Sequence, residues 1–182
     1  MTTPTEATVQ LKKLMSDFHY GNCTLAYFRT SVITLANQGA DLTVRATFGA
    51  EPTLLHVLVG KNTNGVLDDD IAQLLKLVPD LVKAKDMYGR TALAYLIASF
   101  QNNHVQFDDF TQSAMALAKA GADTTVRSNT GAEPTLLAVL ASNNKNGANN
   151  DAIAEVASLN ASALEAKDMY GRTALAYLIA SF

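Results

Sequence analysis

The sequence predicts an all-α fold in which similar helical units are stacked side by side. Three observations lead there. The seventeen residues Ala84–Phe100, AKDMYGRTALAYLIASF, recur unchanged as Ala166–Phe182. The likeness extends back to GADLTVRATFGAEPTLLHVL (Gly39–Leu58) and GADTTVRSNTGAEPTLLAVL (Gly121–Leu140), at the same offset and without a gap. Each of these long units then divides. TLLHVLV at Thr53 is followed by TALAYLI at Thr91, and TLLAVLA at Thr135 is followed by TALAYLI at Thr173, with the same spacing in both units. A fixed period of this kind marks units that cannot bury their apolar faces alone and do so against their neighbours.

The elements follow in order. TEATVQLKKLMSDFHYG sets Val9, Leu11, Leu14, Met15 and Phe18 near one side of a helix that Gly21 stops. Asn22 is placed to cap the next helix, CTLAYFRTSVITLANQG. After Gly39-Ala40-Asp41 comes a turn, and Glu51-Pro52 leads into the helix at Thr53, with proline tolerated in a first turn. A polar connector, Gly60–Asp70, ends in three acids suited to the positive end of a helix dipole. In the next unit Asp86 and Gly89 flank a turn, and Thr91 caps a helix. There Leu93, Leu96 and Ile97 fall at i, i+3 and i+4. The polar connector Gln101–Asp109 leads to FTQSAMALAKAG, where Met115, Leu117 and Ala118 are apolar and Gly121 closes the helix. The third unit repeats the first, with a connector at Ser142–Asp151 read as flexible. The stretches KLVPDLV and SLNASAL lack Gly-Ala-Asp, so their helices need another ending.

Composition narrows the function classes. Apolar residues make up 48% and charged residues 17% of 182, the mark of a folded chain with a net charge of −3. No basic stripe runs along the sequence, which argues against nucleic acid. No apolar run nears the roughly 20 residues that span a bilayer. A single cysteine, Cys23, excludes a disulfide framework, points to a reducing compartment and reads as a structural thiol. His19, His56 and His104 share no metal-ligand spacing, the acids Asp68–Asp70 lack the spacing of a calcium loop, and GKNTNG lacks the Lys-Ser/Thr of a phosphate loop. No metal, no cofactor and no catalysis are expected.

The residues Asp86, Gly89, Thr91 and Leu93, again Asp168, Gly171, Thr173 and Leu175, and the repeat endings Gly39-Ala40-Asp41 and Gly121-Ala122-Asp123 resemble the ankyrin repeat, over about residues 20–182. The resemblance implies a helical solenoid of antiparallel pairs. It has an N-terminal pair at about 4–41, repeats at 42–79, 80–123 and 124–161, and an incomplete last repeat at 162–182. These units are longer than the usual ankyrin repeat, and the family's histidine stands only at His56, with Ala94, Ala138 and Ala176 elsewhere. After Phe182 no outer helix follows to cover Leu178, Ile179 and Phe182. The expectation is therefore a piece of a longer chain, or an end that packs on another molecule, including self-association. The resemblance implies a scaffold that binds a protein partner through its turn tips and concave inner-helix face. Those tips carry Lys85, Met87, Tyr88 and Arg90, then Lys167, Met169, Tyr170 and Arg172. The aligned positions Thr47, Gly49, Ala50 and Pro52, and Asn129, Gly131, Ala132 and Pro134, are small and offer little to grip. Repeats with long links look like those of bacterial effectors that act in a host cytosol. The alternative is a targeting or regulatory domain of a longer enzyme.

Overall fold

A computed structural model describes residues 3–61 and 68–180, with only the backbone of residue 68. The expected exposure of Phe182 and the 62–67 part of the first connector lie outside the described residues. Those described are helical, without a strand. The helices are α1 (Pro4–His19), α2 (Leu25–Asn37), α3 (Leu54–Lys61), α4 (Asp68–Leu77), α5 (Ala92–Gln101), α6 (Phe107–Lys119), α7 (Leu136–Ser142), α8 (Asn150–Leu159) and α9 (Ala174–Ala180).

They form two layers. In one, α3 packs between α1 and α5, and α7 packs on α9; in the other, α4, α6 and α8 lie side by side. The layers join as pairs, α1 with α2, α3 with α4, α5 with α6 and α7 with α8. The sequences explain the division. α3 (LLHVLVGK) and α7 (LLAVLAS) are apolar along nearly their whole length and are buried from Leu54 to Val59 and from Leu136 to Ala141. α6 is amphipathic and buries one side, with Phe110, Ala114 and Leu117 inward. Phe110 stacks on Phe100 at 4.8 Å between ring centres, which joins α6 to α5. The bidentate pair of Arg29 with Asp70, at 2.8 Å to each oxygen, joins α2 to α4.

Caps and connectors depart from the sequence reading in detail. Thr91 caps α5 as expected, accepting from the Ala94 amide. The cap of α2 is Thr24, not Asn22, since the chain leaves α1 through the left-handed Gly21 and needs two more residues to turn. Val9 points to solvent, because α1 buries only the stripe of Ala7, Leu11, Leu14 and Met15. Pro52 and Pro134 stand before the helices, where their carbonyls accept from the Ala46 and Ser128 amides. The connector between α5 and α6 shrinks to residues 102–106, because Gln101 stays helical and α6 begins at Phe107.

The connector between α7 and α8 is built rather than loose. Asn144 and Asn149 are buried. The Asn149 amide donates to Asn144 Oδ1 at 2.7 Å, and its side-chain nitrogen donates to the Asn143 carbonyl at 2.8 Å. The two endings that lack Gly-Ala-Asp are single 3-10 turns, Pro79–Lys83 and Ala161–Leu164, which bury Leu81, Val82 and Ala163. In the second, Asn160 accepts from the Ser162 amide and donates to Thr124, tying one repeat ending to the next.

Candidate functional site: the turn edge

Each inner helix from α3 onward is preceded by a narrow turn. The first three are closed by isolated antiparallel bridges, Arg45 to Thr53, Lys85 to Thr91 and Arg127 to Thr135. The fourth repeats the second: the Asp168 amide donates to the Arg172 carbonyl at 3.0 Å, as Asp86 does to Arg90. The turns stand next to one another. The Met87 amide donates to the Ala50 carbonyl at 3.0 Å, and Met169 to Ala132 at 3.2 Å. Gln101 at the end of α5 accepts from Ser128 and Thr130 in the third turn. A groove of about 350 Å³ separates the second turn from the third; Lys85, Tyr88 and Arg90 line one wall, Arg127 and Glu133 the other.

The structure brings the eight residues expected at the tips onto this edge, four on each Tyr-bearing turn. In the second turn, Asp86 is buried. One carboxylate oxygen accepts from the Tyr88 and Arg90 amides at 2.9 Å, and the other takes the Arg90 guanidinium at 2.6–2.7 Å. Gly89 closes the turn at φ +74°, a conformation glycine adopts without strain. Held this way, the guanidinium lies over the rings of Tyr88 at 5.1 Å and Tyr95 at 5.2 Å. Tyr88 remains 63% exposed and Met87 is also largely open. The backbone of Met87 joins the neighbouring turn through its amide. Lys85 is exposed beside them.

The fourth turn carries the same letters in a different setting. Asp168, Arg172, Tyr170 and Tyr177 form the same cluster, with guanidinium-to-ring distances of 5.0 and 4.7 Å. Tyr170 is exposed, as are Lys167 and Met169. Here the Tyr177 hydroxyl donates to Asp168 at 2.7 Å. Burial works against the Asp168 charge, but the Tyr177 hydroxyl, the Arg172 and Tyr170 amides and the guanidinium outweigh it and hold the carboxyl at about 2. Burial and the same carboxylate push Tyr177 up to about 12. The Arg172 side chain is 45% exposed and that of Arg90 15%, and Arg90 lines the groove that faces the third turn.

Sequence reasoning misses the supports of this edge. In the sequence Tyr95 and Tyr177 stand only as helix residues, although they sit four residues after each cap and so return beneath the turn. His56 is buried, with Nδ1 2.7 Å from Thr53 Oγ1 and Nε2 2.9 Å from the Arg90 carbonyl. Since a carbonyl only accepts, Nε2 carries the proton. Burial lowers the His56 pKa to about 4, so the ring is neutral and ties α3 to the second turn. The tips at 45–53 and 127–135, small in sequence, each hold an arginine against a glutamate, Arg45 with Glu51 at 3.5 Å and Arg127 with Glu133 at 3.6 Å. Cys23 is half-buried against the core, and burial with the nearby Asp17 raises its thiol, which is the reverse of an activated nucleophile. Among the described residues no cluster of His, Cys, Asp or Glu is arranged to hold a metal, and no helix is long and apolar enough to cross a membrane.

No protein-family model and no curated protein matches the sequence. Among solved structures, the fold is similar to a chain in the structure titled the Bd0816 predatory endopeptidase from Bdellovibrio bacteriovorus in complex with immunity protein Bd3460. The TM-score is 0.54 and the identity 20%, over 92% of this chain and 91% of that one. That neighbour belongs to a bacterial protein–protein complex. It also corrects the expectation that catalysis is absent. A chain of similar fold comes from a complex that includes an endopeptidase, a hydrolase, so the fold gives no ground for excluding enzymatic activity.

Proposed function

We propose that this chain is an ankyrin-type repeat protein that binds a protein partner along its turn edge and the adjoining inner-helix face. The carrying observation is the pair of tips in which a buried aspartate holds an arginine beneath an exposed tyrosine, Asp86–Arg90–Tyr88 and Asp168–Arg172–Tyr170. Tyrosine and arginine dominate the centres of protein interfaces, and a side chain already held in place loses little entropy on binding. The two-layer stack of helical pairs supports repeat boundaries near residues 42, 80, 124 and 162. The neighbour's complex of an endopeptidase with an immunity protein makes a peptidase the first partner to test. Within the same reading, the long links favour an effector acting in a host cytosol, a reducing compartment that suits the lone thiol.

Affinity capture with the whole chain as bait, run beside a Tyr88→Ala/Tyr170→Ala variant, tests this. The reading expects a captured protein whose affinity falls about 10-fold or more in the variant. Undiminished capture by the variant, or turnover of a peptide by the chain alone with no partner retained, would replace it.

A further inference from the structure

The bridged turns repeat a charge that the linear sequence hides. Arg45, Lys85 and Arg127 occupy the same position, the first residue of each bridge, and Lys167 stands at that position of the fourth turn. Whole repeats separate them in the chain, so no window of sequence shows them together. In the fold the turns are consecutive neighbours, joined by the Met87–Ala50 and Met169–Ala132 hydrogen bonds and, between the second and third, by the shared groove. A chain of net charge −3 thus lines one edge with cations.

The acids on the same edge are already engaged. Asp86 and Asp168 are buried beneath their own arginines. Glu51 and Glu133 face Arg45 and Arg127 at 3.5 and 3.6 Å, in exposed pairs of the kind that contribute little and exchange readily. Lys85 and Lys167 are exposed, and each shares its turn with an exposed tyrosine. Lys85 and Arg127 stand on opposite walls of the groove between the second and third turns, so one ligand laid along the edge can meet both.

We propose that this edge docks an acidic, extended segment of a partner protein, its carboxylates meeting Arg45, Lys85, Arg127 and Lys167, with Tyr88 and Tyr170 gripping its apolar intervals. The proposal rests on the partner-binding reading above and adds the chemistry of the partner. A nucleic acid fits less well. A duplex carries about one charge per 1.7 Å, far denser than four cations on a chain of net charge −3 can match.

Fluorescein-labelled dodecapeptides, one a repeat of Glu-Gly-Ser and one of Lys-Gly-Ser, supply the test by anisotropy against the whole chain. A single-stranded DNA of similar length is the third probe. The acidic peptide should bind best. Its affinity should fall about 10-fold as NaCl rises from about 50 to about 300 mM, and by a similar factor in Lys85→Glu/Lys167→Glu. Circular dichroism checks that this variant folds, with Lys85→Gln/Lys167→Gln as its replacement. Equal binding of the acidic and basic peptides, no loss on charge reversal, or tighter binding of the DNA would overturn the proposal. Failure here with tyrosine-dependent capture intact removes only the acidic partner; loss of tyrosine-dependent capture removes the reading beneath it.

Discussion

Asp86 and Asp168 are the same residue in the same seventeen-letter context, yet their ion pairs lie in different surroundings. Arg90 is mostly covered, whereas Arg172 is nearly half exposed. Removing one partner of a covered pair strands the other charge, while water replaces the partner of an open one. Asp86→Ala should therefore cost about 3 kcal/mol and Asp168→Ala about 1 kcal/mol. Urea denaturation of the two variants checks this, and equal losses would contradict it. His56 adds a pH dependence. Its pKa is about 4 in the fold against 6.5 for an exposed ring, because burial disfavours the imidazolium. The unfolded chain thus binds the proton first. Stability should be fully present above pH 6.5 and fall as pH drops from 6.5 to 4, by about 3 kcal/mol in all. The unfolding free energy of the parent should fall by this amount relative to that of His56→Gln as pH drops across that range.

At the scale of elements, the connector between α7 and α8 behaves as a small polar core. Asn149 is buried and satisfied by backbone and side-chain partners on both sides. Asn149→Ala removes the side-chain donations to the Asn143 and Leu140 carbonyls and leaves Asn143 with the Lys145 amide alone, and a lost hydrogen bond of this kind costs about 1 kcal/mol. A thermal melt should show that loss; no change would mean that this connector is as loose as its composition reads. The run SNNKNGANND looks like a linker because asparagine is common in linkers. What composition cannot express is that the Asn144 side chain bonds both the Asn150 side chain and the Asn149 backbone once α7 and α8 are held side by side. The inner helices show the opposite case. The apolar runs of α3, α5 and α7 demand burial on every side, and the layered packing supplies it.

The whole molecule decides what identical helices experience. α5 and α9 share the letters ALAYLIA. Leu93 and Ile97 are fully buried in α5, while Leu175 and Ile179 of α9 are 62% and 67% exposed. Leu93→Lys should unfold the chain or cost more than about 4 kcal/mol, whereas Leu175→Lys should stay within about 0.5 kcal/mol. The same exposed pair is an apolar face that invites association. Leu175→Lys/Ile179→Lys should lower the average mass of the chain in sedimentation. A parent that is already monomeric at high concentration would defeat that expectation.

The sequence by itself determined the helical class, the turn at Gly89 and the threonine cap of α5, because each of these is set by local spacing: a helical period, a glycine at a left-handed turn, a hydroxyl before a helix. It also placed Tyr88 and Tyr170 together in kind, through the unchanged repeat. It did not determine which side of a helix meets water, as Val9 and Leu175 show, nor that Arg90 would be covered and Arg172 open. Those depend on which neighbour stands against a residue. The row of Arg45, Lys85, Arg127 and Lys167 belongs to the same class. Only stacking brings residues a whole repeat apart within reach of one ligand, since charge acts through space and the chain records only order.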